Sequence, residues 1–330
     1  MTANGSGDRP NPAGSQAPAD QLGLVGQAAV DALVALLDLE ELGPDMFLGV
    51  SPPVGPQRVF GGQVAGQALV AAGRTVDPAR AVHSLHGYFV RPGDPTEPIT
   101  YSVERVRDGR SFSVRRSVAT QHNKTIFFMS ASFHVPEEGL DHQAPAPRVV
   151  PGAPTGDTAE PGAVDDRSVP PPEELPSLVE RLAQYPERAA TLAMRDVPID
   201  VRYVNEPGWG RPGSRRAAPH QRVWMRIDGA LPDDPLLHAC ALTFASDLTL
   251  LDSVLATHGE VWGPGGMIGA SLDHAMWFHR PFRADEWLLY DCWSPSASDA
   301  RGLATGRLLT RDGRHVASAV QEGLLRRVGG

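Results

Sequence analysis

The sequence predicts an α+β fold built as two tandem repeats, each an antiparallel β-sheet wrapped around a long central helix. Three observations predict it. A run of small residues, RVFGGQVAGQALVAAGRTV at 58–76, has helical spacing and is apolar on nearly every side, which suits a helix enclosed by other structure. The stretches that follow it switch to a period of two, the signature of strands with one buried face. The second half of the chain then repeats features of the first in the same order.

Taken in order, the first 20 residues, MTANGSGDRPNPAGSQAPAD, are polar and rich in Gly, Pro and Ser, so 1–22 reads as a disordered tail. They lack the basic and apolar regions of an export signal. Apolar residues recur at helical spacing in LVGQAAVDALVALLDL, 24–39, so an amphipathic helix opens the first repeat, assigned to 23–136. After the small-residue helix, 82–90, 100–107, 111–121 and 125–135 read as four strands, with turn chemistry at Asp108-Gly109 and at His122-Asn123-Lys124. Residues 137–197 are dense in proline and read as a linker, with a helical segment at 175–194. The second repeat, 198–330, opens with PIDVRYV at 198–204 and RVWMRI at 222–227.

The internal match is specific in places. FGGQ at 60–63 has a counterpart in FASD at 244–247, which sets Asp247 opposite Gln63. Phe89-Val90-Arg91-Pro92 matches Phe278-His279-Arg280-Pro281, and 118–131 runs in step with 308–321.

Bulk properties exclude several functions. Lys and Arg number 30 against 39 for Asp and Glu, a net charge of −9, so a broad nucleic-acid footprint is not expected. Cys240 and Cys292 are the only cysteines, which suits core thiols in a reducing compartment, and no apolar run approaches a membrane span. The terminal Val328-Gly329-Gly330 is no peroxisomal address, so a cytoplasmic protein is expected. No G-x-S-x-G, P-loop, dinucleotide fingerprint or H-E-x-x-H occurs; GASLD at 269–273 lacks the final glycine, and GPGGMIG at 263–269 has the wrong spacing. His83 with His86, or His274 with His279, lacks a third ligand at metal spacing.

Three polar residues stand out in apolar segments of the second half: Asp247 in FASDLTLL, Ser271 opening GASLDHAMWFHRP, and Gln321 in HVASAVQEGLL. Brought together by a sheet wrapped on a helix, they can hold a water, the carboxylate accepting its proton while hydroxyl and carboxamide orient it. Each also has a structural reading: Asp247 as the N-cap of LTLLDSVLATHG, Ser271 as a strand-edge hydroxyl, Gln321 as an exposed strand residue.

Across about Leu24 to Arg326 the chain resembles the type II, TesB-like acyl-CoA thioesterases, which have a double hotdog fold. The resemblance is carried by RVFGGQVAGQAL (58–69), VHSLHGYFVRPGDPTEPI (82–99), RDGRSFSVRR (107–116), PDDPLLHACALTFASDL (232–248), LDHAMWFHRPFRADEWLLY (272–290), SASDARG (296–302) and VASAVQEGLLR (316–326). It implies that Asp247, Ser271 and Gln321 jointly activate water, Ser271 standing where many members carry Thr. It implies hydrolysis of acyl-CoA to free fatty acid and CoA with no cofactor, and a first repeat without catalytic residues. A hotdog hydratase, with His274 beside the Asp, and a noncatalytic acyl-CoA-binding module are the alternatives. Exposed hotdog sheet edges lead us to expect a homo-oligomer.

Overall fold

The small-residue run forms the centre of the molecule because only small side chains let two helices approach at backbone distance. In the computed structural model, which describes residues 25–52, 58–155, 168–183, 185, 198–207, 220–263 and 265–328, the order begins with α1 (Gly26–Leu37) and the hairpin β1 (Glu40–Gly43) and β2 (Met46–Gly49). Then come α2 (Gly61–Gly73), β3 (Ala81–Phe89), β4 (Ile99–Asp108), β5 (Phe112–Gln121) and β6 (Lys124–His134). The linker carries two short paired strands, β7 (Arg148–Val149) and β8 (Ser168–Val169), a 3-10 turn at Pro172–Glu174 and α3 (Leu178–Leu182). The second repeat contains β9 (Ile199–Tyr203), β10 (His220–Ile227), α4 (Pro235–Ser246), α5 (Asp252–His258), β11 (Met267–Ser271), β12 (Asp273–Phe278), β13 (Leu288–Ser298), β14 (Arg301–Thr310) and β15 (His315–Arg327).

One continuous sheet runs β1-β2-β4-β5-β6-β3-β12-β15-β14-β13-β10-β9, with β11 also pairing β15. The first six strands and the last six have the same order read outward from the β3–β12 seam, so the chain is a double hotdog with an approximate twofold between its repeats. Alternation of buried and exposed residues along β5 and β15 turns one face of the sheet onto the helices.

The two central helices lie antiparallel and in direct contact. A side chain on Gly62 would run into the carbonyl oxygen of Phe244, and one on Gly66 would come within 3.2 Å of the Cys240 carbonyl. Neither position tolerates a larger residue without moving a helix. This packing corrects the register inferred from FGGQ and FASD. Gln63 lies in the first turn of α2, whereas Asp247 is the C-cap of α4. The residue at the corresponding end of α2 is Arg74, its C-cap, which pairs with Asp38 at 2.5 Å.

Other differences have local causes. The four strands expected at 82–135 are β3 to β6, but the β1–β2 hairpin adds two edge strands to the repeat. The helix expected at 175–194 starts at Leu178, where Ser177 and Glu180 form a reciprocal capping box, and its described part ends at Leu182. Residues 186–194 and the tail at 1–22 lie outside the described residues. The linker contributes to a second small core on the outer face of the sheet: Val169 and Leu175 pack with Trp224, Leu289 and Leu309, and the Trp224 indole donates to the Pro170 carbonyl at 2.9 Å. Among the described residues no helix is long and apolar enough to cross a membrane.

Candidate active site

The site forms where α4 ends against the start of α2. Asp234 caps the beginning of α4 by accepting from Leu236 N–H at 2.9 Å, and Pro235 occupies the first helical position, where it loses no hydrogen bond. The helix is buried through His238–Ser246 and finishes at Asp247. The N-cap of α5 is Leu251, so Asp247 does not serve as an N-cap for the segment after it.

The last helical residue, Ser246, is fixed from two strands. Its hydroxyl donates to the Thr243 carbonyl at 3.0 Å and lies 2.8 Å from His274 Nε2 on β12, while its carbonyl accepts from the Tyr290 hydroxyl of β13 at 3.2 Å. With the Ser246 proton given to Thr243, His274 Nε2 is assigned as the donor, the tautomer that leaves Nδ1 an acceptor. Nδ1 is buried and has no partner among the described residues. Burial lowers the His274 pKa to about 4, so the ring is neutral at pH 7.

The three residues singled out in the sequence meet here. Asp247 Oδ1 accepts from Gln321 Nε2 at 2.5 Å and from Ser271 Oγ at 3.3 Å. Gln321 Nε2 also donates to Ser271 Oγ at 2.7 Å, closing a three-membered ring of hydrogen bonds. The Gly62 N–H of α2 is a further donor to the carboxylate, and a side chain on Gly61 would lie 2.7 Å from Oδ2. Asp247 therefore sits at the negative end of its own helix and faces the positive end of the neighbouring one.

Burial raises the Asp247 pKa to about 6, against the pull of hydrogen bonds from Gln321, Gly62 and Ser271. A carboxylate with that pKa is mostly ionised at neutral pH yet basic enough to take a proton in a transition state. Gln321 is fully buried, and its Oε1 has no partner among the described residues. It is an acceptor on the same carboxamide whose Nε2 holds the carboxylate. Phe60 packs edge-on to Phe244 at 5.1 Å, and Phe89 approaches Gly61, so aromatic rings border the polar set.

A one-residue irregularity in the sheet delivers Ser271. Sequence alternation treats 269–281 as one strand, but Ser271 pairs with Gly323 while Ala275 pairs with Val320. Four steps on one strand match three on the other, which is a β-bulge. In a regular strand, residues three apart face opposite sides. Across this bulge Ser271 and His274 both reach the end of α4, at Asp247 and at Ser246.

Other candidates resolve differently. His83 Nε2 lies 2.8 Å from Ser132 Oγ, His279 Nε2 lies 2.9 Å from Ser318 Oγ, and the His86 ring packs edge-on to Trp277. Among the described residues no group of three His, Cys, Asp or Glu side chains could hold a metal ion. Sequence reasoning missed the Gly61-Gly62 pair, whose signal was the glycine doublet at a helix start. It also missed Asp252, a second carboxylate whose pKa is raised by desolvation to about 6, which accepts from the Trp262 indole at 2.7 Å and the Tyr203 hydroxyl at 3.3 Å. An aspartate in a short loop-to-helix segment carries no mark of that desolvation.

Comparison with known proteins covers the same elements. Residues 194–324 match the family model described as acyl-CoA thioesterase, and residues 50–134 match that of the acyl-CoA thioesterase N-terminal domain. Acyl-coenzyme A thioesterase 8 of Rattus norvegicus is 39% identical over 321 residues, covering 93% of this chain and 93% of the relative. Acyl-CoA thioesterase 2 of Haemophilus influenzae is 37% identical, covering 89% of this chain and 96% of the relative. Among solved structures, an acyl-CoA thioesterase II, TesB2, of Mycobacterium marinum is 43% identical with a TM-score of 0.67, over 91% of this chain and 98% of that one. A hot dog fold protein from Alicyclobacillus acidocaldarius, 20% identical, has a TM-score of 0.68 over 92% of this chain and all of that one, and shares the fold.

Proposed function

Because the chain belongs to the acyl-CoA thioesterase family, we propose that it hydrolyses fatty acyl-CoA to free fatty acid and CoA at the meeting point of α2 and α4, within lipid metabolism. The observation that carries this reading is the hydrogen-bonded ring of Asp247, Ser271 and Gln321 beside the start of a second helix. Asp247 is the general base. It takes a proton from water as the water oxygen bonds to the thioester carbonyl carbon.

Ser271 and Gln321 hold the carboxylate in one orientation, and Gln321 Oε1 accepts the second proton of that water in a hydrogen bond. The carbonyl electron pair moves onto oxygen, where N–H groups of the first turn of α2 other than that of Gly62, which Asp247 already holds, stabilise it. When the carbonyl re-forms, the carbon–sulfur bond breaks and CoA leaves as thiolate, to be protonated by Asp247. The base is thereby regenerated, and no covalent enzyme intermediate is required.

His274 does not support a hydratase reading, because its Nε2 is engaged by Ser246 and not by Asp247. We assign the reaction to the cytoplasm on the two free, buried thiols Cys240 and Cys292. The edge strands β1 and β9 at the ends of the sheet favour a homo-oligomer. The deciding experiment presents acyl-CoAs from short to long chain and follows CoA release with a thiol reagent. Release from at least one chain length is expected. Binding without release from any would leave a noncatalytic acyl-CoA-binding protein, and a change in enoyl absorbance without release would make it a hydratase.

A further inference from the structure

The bulge that turns Ser271 toward Asp247 leaves a gap in the ladder, and one side chain fills it. Glu322 lies opposite the irregularity on β15. Its carbonyl accepts from Leu272 N–H at 2.8 Å, a regular ladder bond. Its N–H points to the same side of the strand, where a regular β12 would offer a carbonyl. It donates instead to the Asp273 carboxylate, Oδ1, at 2.7 Å. The other edge of the bulge is tied to β3, because Leu272 O accepts from Phe89 N–H at 3.0 Å. Without an acceptor for Glu322 N–H, the bulged backbone loses one of the bonds that hold it in place beside Ser271.

We propose that Asp273 is a positioning residue for the reaction: its carboxylate stands in for the missing ladder carbonyl and so keeps Ser271 facing Asp247 and Gln321. The assignment rests on the reading of Ser271 as part of the water-activating set. Asp273 touches neither Asp247 nor the reacting atoms, and its effect passes through the strand backbone. The feature it supplies is a hydrogen-bond acceptor at one place, which a carboxamide provides equally well and a methyl group does not.

The test is a double-mutant cycle on the full chain, with CoA release measured from the best acyl-CoA substrate. Asp273→Ala is expected to lower kcat by about 10²-fold, the scale of a misplaced catalytic group, with KM held. Asp273→Asn should restore kcat to near the parent value. In a Ser271→Ala background, adding Asp273→Ala should cost nothing further, because the group it positions is already gone. Where Asp273→Ala does not stay folded, Asp273→Glu, which carries the acceptor one methylene too far, replaces it in the cycle. Additive losses, or an Asn variant as impaired as the Ala variant, would overturn the positioning role while leaving the catalytic reading intact. Undiminished turnover by Ser271→Ala alone would instead remove Ser271 from that reading, and with it the premise for Asp273.

Discussion

Asp247→Asn tests the proposed role of the carboxylate as base separately from what its desolvation costs the fold. The replacement has the same shape, and the ring of hydrogen bonds can adapt, because Gln321 can turn its unpartnered Oε1 toward the new amide. Raising the Asp247 pKa from 3.8 to about 6 on folding corresponds to a penalty of about 3 kcal/mol on the ionised form. The folded pKa lies above the unfolded one, so the native state binds more protons between the two values. The stability of the parent protein therefore falls as pH rises through that window and is flat above it. We expect the Asn variant to be more stable than the parent by about 3 kcal/mol at pH 7.5 and equally stable near pH 3.5. Its kcat should fall by about 10² to 10⁴-fold, and the parent kcat should have an acid limb centred near pH 6. Denaturant unfolding at the two pH values, paired with a pH profile of CoA release, measures both. Equal stability at pH 7.5 would refute the desolvation argument, and near-parental turnover by the folded variant would refute the role as base.

Two further perturbations probe the frame around the site. Gly62→Ala drives a methyl group into the Phe244 carbonyl, which is backbone and cannot swing away; a loss of about 1–3 kcal/mol in denaturant unfolding is expected, with a disproportionate loss of kcat as Asp247 shifts. Asp291→Asn disrupts a buried cluster in which the carboxylate meets Arg222 at 2.9 Å and Arg307 at 2.7 Å; burial opposes ionisation there, but His220, Arg222 and Arg307 hold the carboxyl well below its usual range. Leaving two guanidinium groups without their anion should cost about 3–5 kcal/mol at neutral pH. Because the folded pKa is depressed, that contribution is present above pH 3.8 and is lost as pH falls toward the folded value, so acid titration of the unfolding midpoint should bring parent and variant together.

Much of this architecture was legible in the chain, and the parts that were not share a cause. The small-residue helix and the alternating stretches of the first repeat announce α2 and β3 to β6 because burial on one face imposes a period. The β1–β2 hairpin was silent, since EELG is short and exposed on an edge and carries no alternation. Letter similarity paired FGGQ with FASD, but one marks a helix start and the other a helix end. They resemble each other because both meet at the crowded contact between α2 and α4, where small residues are required. The trio was named from family resemblance and polarity in apolar runs. The bulge that aims Ser271 was hidden, because a period of two presumes unbroken register. Proline density marked the linker as unable to form a core of its own; residues lacking N–H groups can still lie on a sheet formed by others, as Pro170 does by accepting from Trp224.

The carboxylate at Asp247 belongs to one repeat, and the amide that steadies it, Gly62, belongs to the other. On the proposed role of Asp247, turnover should report on the fit between the two halves of the chain more sensitively than unfolding does. A slight parting of α2 from α4, too small to expose the core, would withdraw the Gly62 donor from the Asp247 carboxylate and reshape the start of the helix beside it. With Asp247 as the proposed base, activity should be lost at lower denaturant than structure.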